Sequence, residues 1–158
     1  MKVALVVQRY GVEVLGGAET LARRIAELLT DEVELTVLTT CALDYLSWAD
    51  SYPPGPDEVN GVPVLRFSVP EPRDLLEFDT ATHLAYADPS DLEAGTAWMQ
   101  AQGPNAPGLI EHLREHGASY DAVAFVTYLY ATTADGLDPL WRFVLERARD
   151  EPAGRATE

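Results

Sequence analysis

Three glycines in one short stretch carry the first chemical signal. Gly11 and Gly16 have the spacing of the G-x-x-x-x-G loop that cradles phosphates between a strand and a helix. The next two residues are Gly17 and Ala18, where a nucleoside triphosphatase places Lys and a magnesium-binding Ser or Thr. Triphosphate hydrolysis therefore lacks both its cation and its metal ligand. The dinucleotide pattern G-x-G-x-x-G fails too, because Gly16 and Gly17 are adjacent. What is left is a Gly-Gly pair ahead of a helix. Its backbone N–H groups are unobstructed by side chains and sit at the positive end of a dipole, which suits a diphosphate or a carboxylate. The same pair also suits a tight turn and nothing more.

The elements that position this loop are legible. Lys2 to Gln8 reads as a buried strand through the run Val3-Ala4-Leu5-Val6-Val7. Arg9 to Gly17 has no apolar period and is a loop. From Ala18 the period turns helical, with Ala18, Leu21, Ala22, Ile25, Ala26 and Leu29 on one face and Glu19 in the first turn. Thr30-Asp31 ends the helix, and Val33 to Thr39 is a second, β-branched strand. Strand, loop, helix and strand make a βαβ unit, so a right-handed crossover and a parallel sheet follow. The fold class is α/β: a Rossmann-like open, mostly parallel sheet with flanking helices.

Further along, Thr40 to Val59 is rich in aromatics and proline and reads as a long ordered loop. Asn60-Gly61 marks a turn, and Val62 to Val69 alternates as a third strand. Helical segments are expected around Leu75 to Tyr86, Pro89 to Gln102 and Pro107 to His116, the last closed by Gly117 as a C-cap glycine. Ala122 to Tyr128 reads as a fourth strand. Leu140 to Arg149 suits a helix by composition, while Phe143-Val144-Leu145 equally suits a short fifth strand. Residues 1–150 form one domain on this reading, and 151–158, without apolar content, fray.

Open α/β sheets bind ligands at the carboxyl ends of their strands. The candidates there are Gln8, Arg9 and Tyr10 after the first strand, Thr40 to Asp44 after the second, and Thr127, Tyr128 and Tyr130 after the fourth. Glu19 stands beside the glycine pair. Tyr10, Tyr45, Trp48 and Tyr130 are rings that suit stacking on a sugar, although Tyr45 and Trp48 equally suit loop packing.

Composition restricts the partners. The chain has 158 residues, 26 acidic against 11 basic, a net charge of -15 and a single lysine, Lys2. With a pI near 4.4, that balance opposes nucleic-acid phosphates and anionic membranes. A hydrophobic fraction of 47% is too high for a disordered chain. No stretch approaches the roughly 18 apolar residues of a membrane span. The start is too short for a secretory signal. One cysteine, Cys41, excludes an internal disulfide and a multi-cysteine metal site, and fits a reducing, cytoplasmic location.

Several segments together resemble the N-terminal domain of family 4 glycosyltransferases. They are Gly16-Gly17-Ala18-Glu19, Leu21-Ala22, Leu28-Leu29, and Val37 with Thr39-Thr40. Further pieces resemble a bacterial branch of that family: Thr39 to Tyr45, Val59 to Val64, Gln102-Gly103-Pro104 and Tyr128-Leu129-Tyr130. The similarity spans about residues 1 to 130. It implies a retaining enzyme of two Rossmann-like domains (the GT-B architecture) that moves a sugar from a nucleotide-diphosphate donor to a hydroxyl acceptor. No other cofactor is implied. The resemblance assigns Gly16 and Gly17 to a loop that closes over the donor diphosphate, and puts the acceptor mainly against this domain.

Two departures stand out. Asp31-Glu32 replaces the Gly-His pair usual in the family. The family's donor pocket and its pair of glutamates lie in a second domain, which these residues do not contain. No residue here is therefore assigned a catalytic role, and the chain alone is expected not to turn over. Arg149-Asp150-Glu151-Pro152 resembles a His-Asp-Glu-Pro stretch following the fifth strand, which would make Arg142 to Glu146 that strand. The second half would come from a missing domain or a separate subunit. The rival is a non-catalytic, truncated or partner-binding Rossmann-like module, and a third reading is a flavodoxin-like ligand domain. An incomplete sheet with an apolar edge would also allow a homodimer.

Other constellations are weak. His112 and His116 share a helix face without a third ligand, so no metal site is expected. Cys41 has no histidine near it in sequence and reads as a small buried residue. No G-x-S-x-G is present, and His83 reads as structural or exposed.

Overall fold

The computed structural model describes residues 1–150. These residues form five strands and five α-helices, in the order β1 (Lys2–Val6), α1 (Gly17–Leu29), β2 (Glu34–Thr40), β3 (Gly55–Val59), β4 (Val62–Phe67), α2 (Leu75–Ala87), α3 (Leu92–Gln102), α4 (Pro107–His116), β5 (Ala122–Phe125) and α5 (Ala131–Asp150). The sheet runs β3-β4-β2-β1-β5. β1 pairs in parallel with β2 and β5, and β2 in parallel with β4; only β3 is antiparallel. This is a Rossmann-like α/β fold with a mixed, mostly parallel sheet. The residues given as fraying, 151–158, lie outside the described residues.

Alternation along β1 explains the two layers. Leu5 faces a core with Val37, Val62, Val64 and α1, whereas Ala4 and Val6 face Leu38 and the α4 residues Leu109 and Leu113. Strands covered on both faces read as continuous apolar runs, which is why β1 was visible.

Five expectations need correction. Thr40 to Val59 is not all loop, because Gly55–Val59 pairs with β4 through the two-residue Asn60-Gly61 turn, with φ of 52° and 78°. It buries only Val59 and includes Pro56, which an edge strand tolerates. In α1 the buried face is Glu19, Ala22 and Ala26, while Leu21, Ile25, Leu28 and Leu29 are exposed. Alanines let the helix lie close to the sheet. Gly117 is not left-handed; it has φ −55° and opens a short 3₁₀ turn. A Cβ there would come within 2.5 Å of Leu140 and 2.9 Å of Phe143, so close packing explains the glycine. The proposed fifth strand, Arg142 to Glu146, lies inside α5, and the fourth predicted strand stops at Phe125.

α5 is held against β5 by packing. A Cβ on Gly136 would approach Phe125 to 2.8 Å and Leu113 to 3.2 Å, and Leu140 joins the same core. No described helix is long and apolar enough to cross a membrane.

Candidate functional site at the carboxyl edge of the sheet

The parallel strands end in loops that converge on the start of α1. The loop between β1 and α1 is held by arginines on its carbonyl side. Arg66 Nη1 donates to the Tyr10 carbonyl at 2.8 Å, and Arg23 Nη1 to those of Gly11 and Val12 at 2.8 and 2.9 Å. Arg9 Nη2 donates to the Leu15 carbonyl at 3.2 Å. Four of the loop's carbonyls, those of Tyr10, Gly11, Val12 and Leu15, thus face guanidinium groups just ahead of the helix.

The first N–H groups of α1 are free. Gly16 is the N-cap and makes no side-chain cap bond, and Thr20 N–H closes the first turn on the Gly16 carbonyl at 2.9 Å. No described group accepts from the amides of Gly17, Ala18 or Glu19. The two glycines have different reasons. A Cβ on Gly16 would collide with the Glu19 carboxylate, so the chain's own side chain demands that glycine. A Cβ on Gly17 would meet nothing within 4 Å. Glycine there costs helix stability without any return in packing.

Glu19 is 6% exposed and paired with Arg9 at 2.5 Å. Its Oε1 accepts from Gln8 Nε2 at 3.0 Å and Arg9 Nε at 3.1 Å as well. Arg9 also donates to the Leu43 carbonyl at 3.0 Å, and its guanidinium lies 5.6 Å from the Tyr45 ring centre and 5.9 Å from that of Trp48. This one side chain binds the ends of β1 and β2 to α1. Thr40 adds a second tie, its hydroxyl donating to the Gln8 carbonyl at 2.6 Å.

A wall follows behind it. Trp48, fully buried, packs edge-on to Tyr130 with centres 5.5 Å apart and donates Nε1–H to the Gln102 carbonyl at 2.7 Å. Arg73 donates to the same carbonyl from Nε and Nη2, at 2.8 and 2.6 Å, and lies over Trp48 and Phe78. Burial raises the Tyr130 phenol above its ordinary range, with the Glu19 charge adding to the effect. Burial lowers the Arg73 guanidinium.

The edge thus gathers Arg9, Gly16, Gly17, Glu19, Tyr45 and Tyr130. Tyr10 is not among them: at 1% exposure it packs into the α1-side core with Leu5 and Val37, so it cannot stack on a ligand. Trp48 supports the wall from behind. Asp44 is spent on its own turn, accepting from the amides of Leu46 and Ser47 and from the Ser47 hydroxyl, and the backbone amide of Ser47 above all lowers its carboxyl. Tyr128 is 79% exposed. Thr127 sits at φ 70°, costly for a β-branched residue, with its Oγ1 enclosed and unpartnered.

Gln8, Arg73 and Gln102 complete the site. Gln8 is one of the strand-end candidates expected from the sequence, Gln102 belongs there only to the Gln102-Gly103-Pro104 stretch, and nothing around Arg73 marks it in the sequence. Cys41 is buried, as expected, and burial raises its thiol. His112 shares a 3.0 Å hydrogen bond with the Tyr120 hydroxyl, and the described residues hold no group of three or more metal-binding side chains.

This geometry defines a Rossmann-like domain with polar and aromatic side chains gathered at its strand ends. No family model, curated protein or solved structure matches the chain.

Proposed function

We propose that this chain is the acceptor-side domain of a retaining glycosyltransferase, which moves a sugar from a nucleotide-diphosphate sugar to a hydroxyl acceptor. One observation carries the reading: the free amides at Gly17, Ala18 and Glu19, opened by a glycine that nothing in the fold requires. Such amides, fixed before a ligand arrives, offset the charge that develops on a departing diphosphate. Arg9 balances the Glu19 carboxylate beside them, so the anion is not repelled by an unpaired charge. The reading needs a second, donor-binding domain facing this edge, carried by the same protein or by another.

The test is a ¹H–¹⁵N titration of the chain with inorganic pyrophosphate and with a panel of nucleoside diphosphates. Saturable movement is expected at the amides of Gly17, Ala18 and Glu19, and should vanish in Gly17→Val. If those amides stay still with every probe, the reading fails.

A further inference from the structure

We propose that the groove between α2 and α3 is a docking surface for a basic amphipathic helix of a partner protein. It is independent of the chemistry assigned to the strand ends.

The α2–α3 hairpin is apolar without being covered. α2 carries three leucines, Phe78 and Tyr86 within 13 residues, yet none of its residues is buried, and α3 buries only Gln102. A helix that is apolar around its circumference ordinarily lies inside a core. Leu75, Leu76, Leu84 and Tyr86 are instead each more than half exposed.

One face of α2 is already used. Phe78 meets Trp98 of α3 with ring centres 6.4 Å apart, and Trp98 Nε1–H donates to the Thr82 hydroxyl at 3.1 Å. The adjoining face, with Leu76, Thr80, Ala81 and Leu84, forms with Ala94 and Ala97 of α3 a groove of about 420 Å³. Its alanines and threonine keep the floor low, so a third helix can approach to the usual axis separation of about 8–10 Å. From Leu76 to Leu84 the groove runs about 12 Å at a rise of about 1.5 Å per residue. That length takes two turns of an occupant, whose apolar anchors stand at i, i+3 or i+4, and i+7.

Charge selects the occupant. Residues 74–102 hold six acidic side chains and no Lys or Arg. Asp74 and Glu77 line the groove itself. The one histidine there, His83, stands 3.6 Å from Asp79. A second copy of this chain would set the same acidic rim against this one, and an anionic bilayer would be repelled as well. A helix whose apolar stripe is flanked by Lys or Arg meets the rim with opposite charge, which speeds encounter and fixes orientation.

The experiment titrates the ¹⁵N-labelled full chain with a synthetic Leu/Lys peptide of about 18 residues, long enough to hold a helix, with its leucines at i, i+3, i+4 and i+7. The controls are the same residues in scrambled order, a Leu/Glu analogue, and zwitterionic phosphatidylcholine vesicles. Saturable movement of the Leu76, Thr80, Leu84, Ala94 and Ala97 amides is expected with the Leu/Lys peptide and with none of the controls. Leu84→Gln, a change at an exposed position, should weaken binding about tenfold. Glu77→Lys keeps the apolar floor and should weaken it about fivefold, with a shallower salt dependence. The proposal is overturned if the peptide leaves those amides still or moves amides evenly over the acidic surface. It is equally overturned if a control acts as strongly, or if neither variant weakens binding. Sizing chromatography of the free chain closes the test: a dimer that Leu84→Gln converts to monomer would give the groove to a second copy and overturn the proposal.

Discussion

Arg9 and Glu19 meet at 2.5 Å with both side chains more than nine-tenths buried, and their contact sets where α1 begins relative to the end of β1. A buried pair is weak evidence of net stabilisation, but removing one partner strands the other. Arg9→Met should therefore cost about 3 kcal/mol, read as a lower urea midpoint with an unchanged slope. A loss below about 1 kcal/mol would mean that water reaches Glu19 and screens it.

The glycine pair yields opposite signs at adjacent positions. Gly16→Ala drives a methyl group into the Glu19 carboxylate and should destabilise by about 1–3 kcal/mol. Gly17→Ala meets no atom within 4 Å and replaces a poor helix former, so stability should rise by about 0.5 kcal/mol. Thermal unfolding of the two variants checks both, and a Gly17→Ala chain less stable than wild type would show an unseen constraint on that residue.

What could be read in advance follows from the range of the interactions. β1, α1 and β2 announce themselves because an apolar run and a helical period are local patterns. β3 is invisible for the converse reason: of Gly55-Pro56-Asp57-Glu58-Val59 only Val59 is buried, and the segment is a strand because β4 accepts it. The face of α1 expected from the sequence includes the buried Ala22 and Ala26 but also Leu21, Ile25 and Leu29, which are exposed because close approach to the sheet selects the small residues. The strand-end site is half legible. Strand ends and glycines locate it, but Arg23, Arg66 and Arg73 act on backbone carbonyls far away in sequence, up to 56 residues for Arg66 and Tyr10, and no pattern announces that.

The wall behind the strand-end site depends on Trp48, whose indole N–H and ring both serve it. Trp48→Ala should cost about 3–5 kcal/mol from the lost volume. Trp48→Phe keeps most of the packing and the Gln102 carbonyl keeps Arg73, so it should cost about 1 kcal/mol. Denaturant titrations followed by far-ultraviolet circular dichroism separate the two. Equal losses would mean that the hydrogen bond, not the ring, holds the loop.

Tyr10 links the core to alkaline pH. Burial above all, with the Glu27 charge adding, pushes its phenol from 10.0 up to about 12. A raised folded value means that the fold prefers the neutral phenol. The resulting stability is fully present below pH 10, the unfolded value, and is lost as pH rises toward about 12. Tyr52, Tyr120 and Tyr130 are raised as well, so the wild-type loss is shared. Tyr10→Phe isolates one part of it. Its hydroxyl is enclosed and unpartnered, so removal should leave stability at pH 7 unchanged or raise it by about 1 kcal/mol. Between pH 10 and 12 the variant should lose less stability than wild type, as measured by urea midpoints across that window. Parallel loss in the two proteins would show that the Tyr10 phenol ionises in the fold as readily as in the unfolded chain.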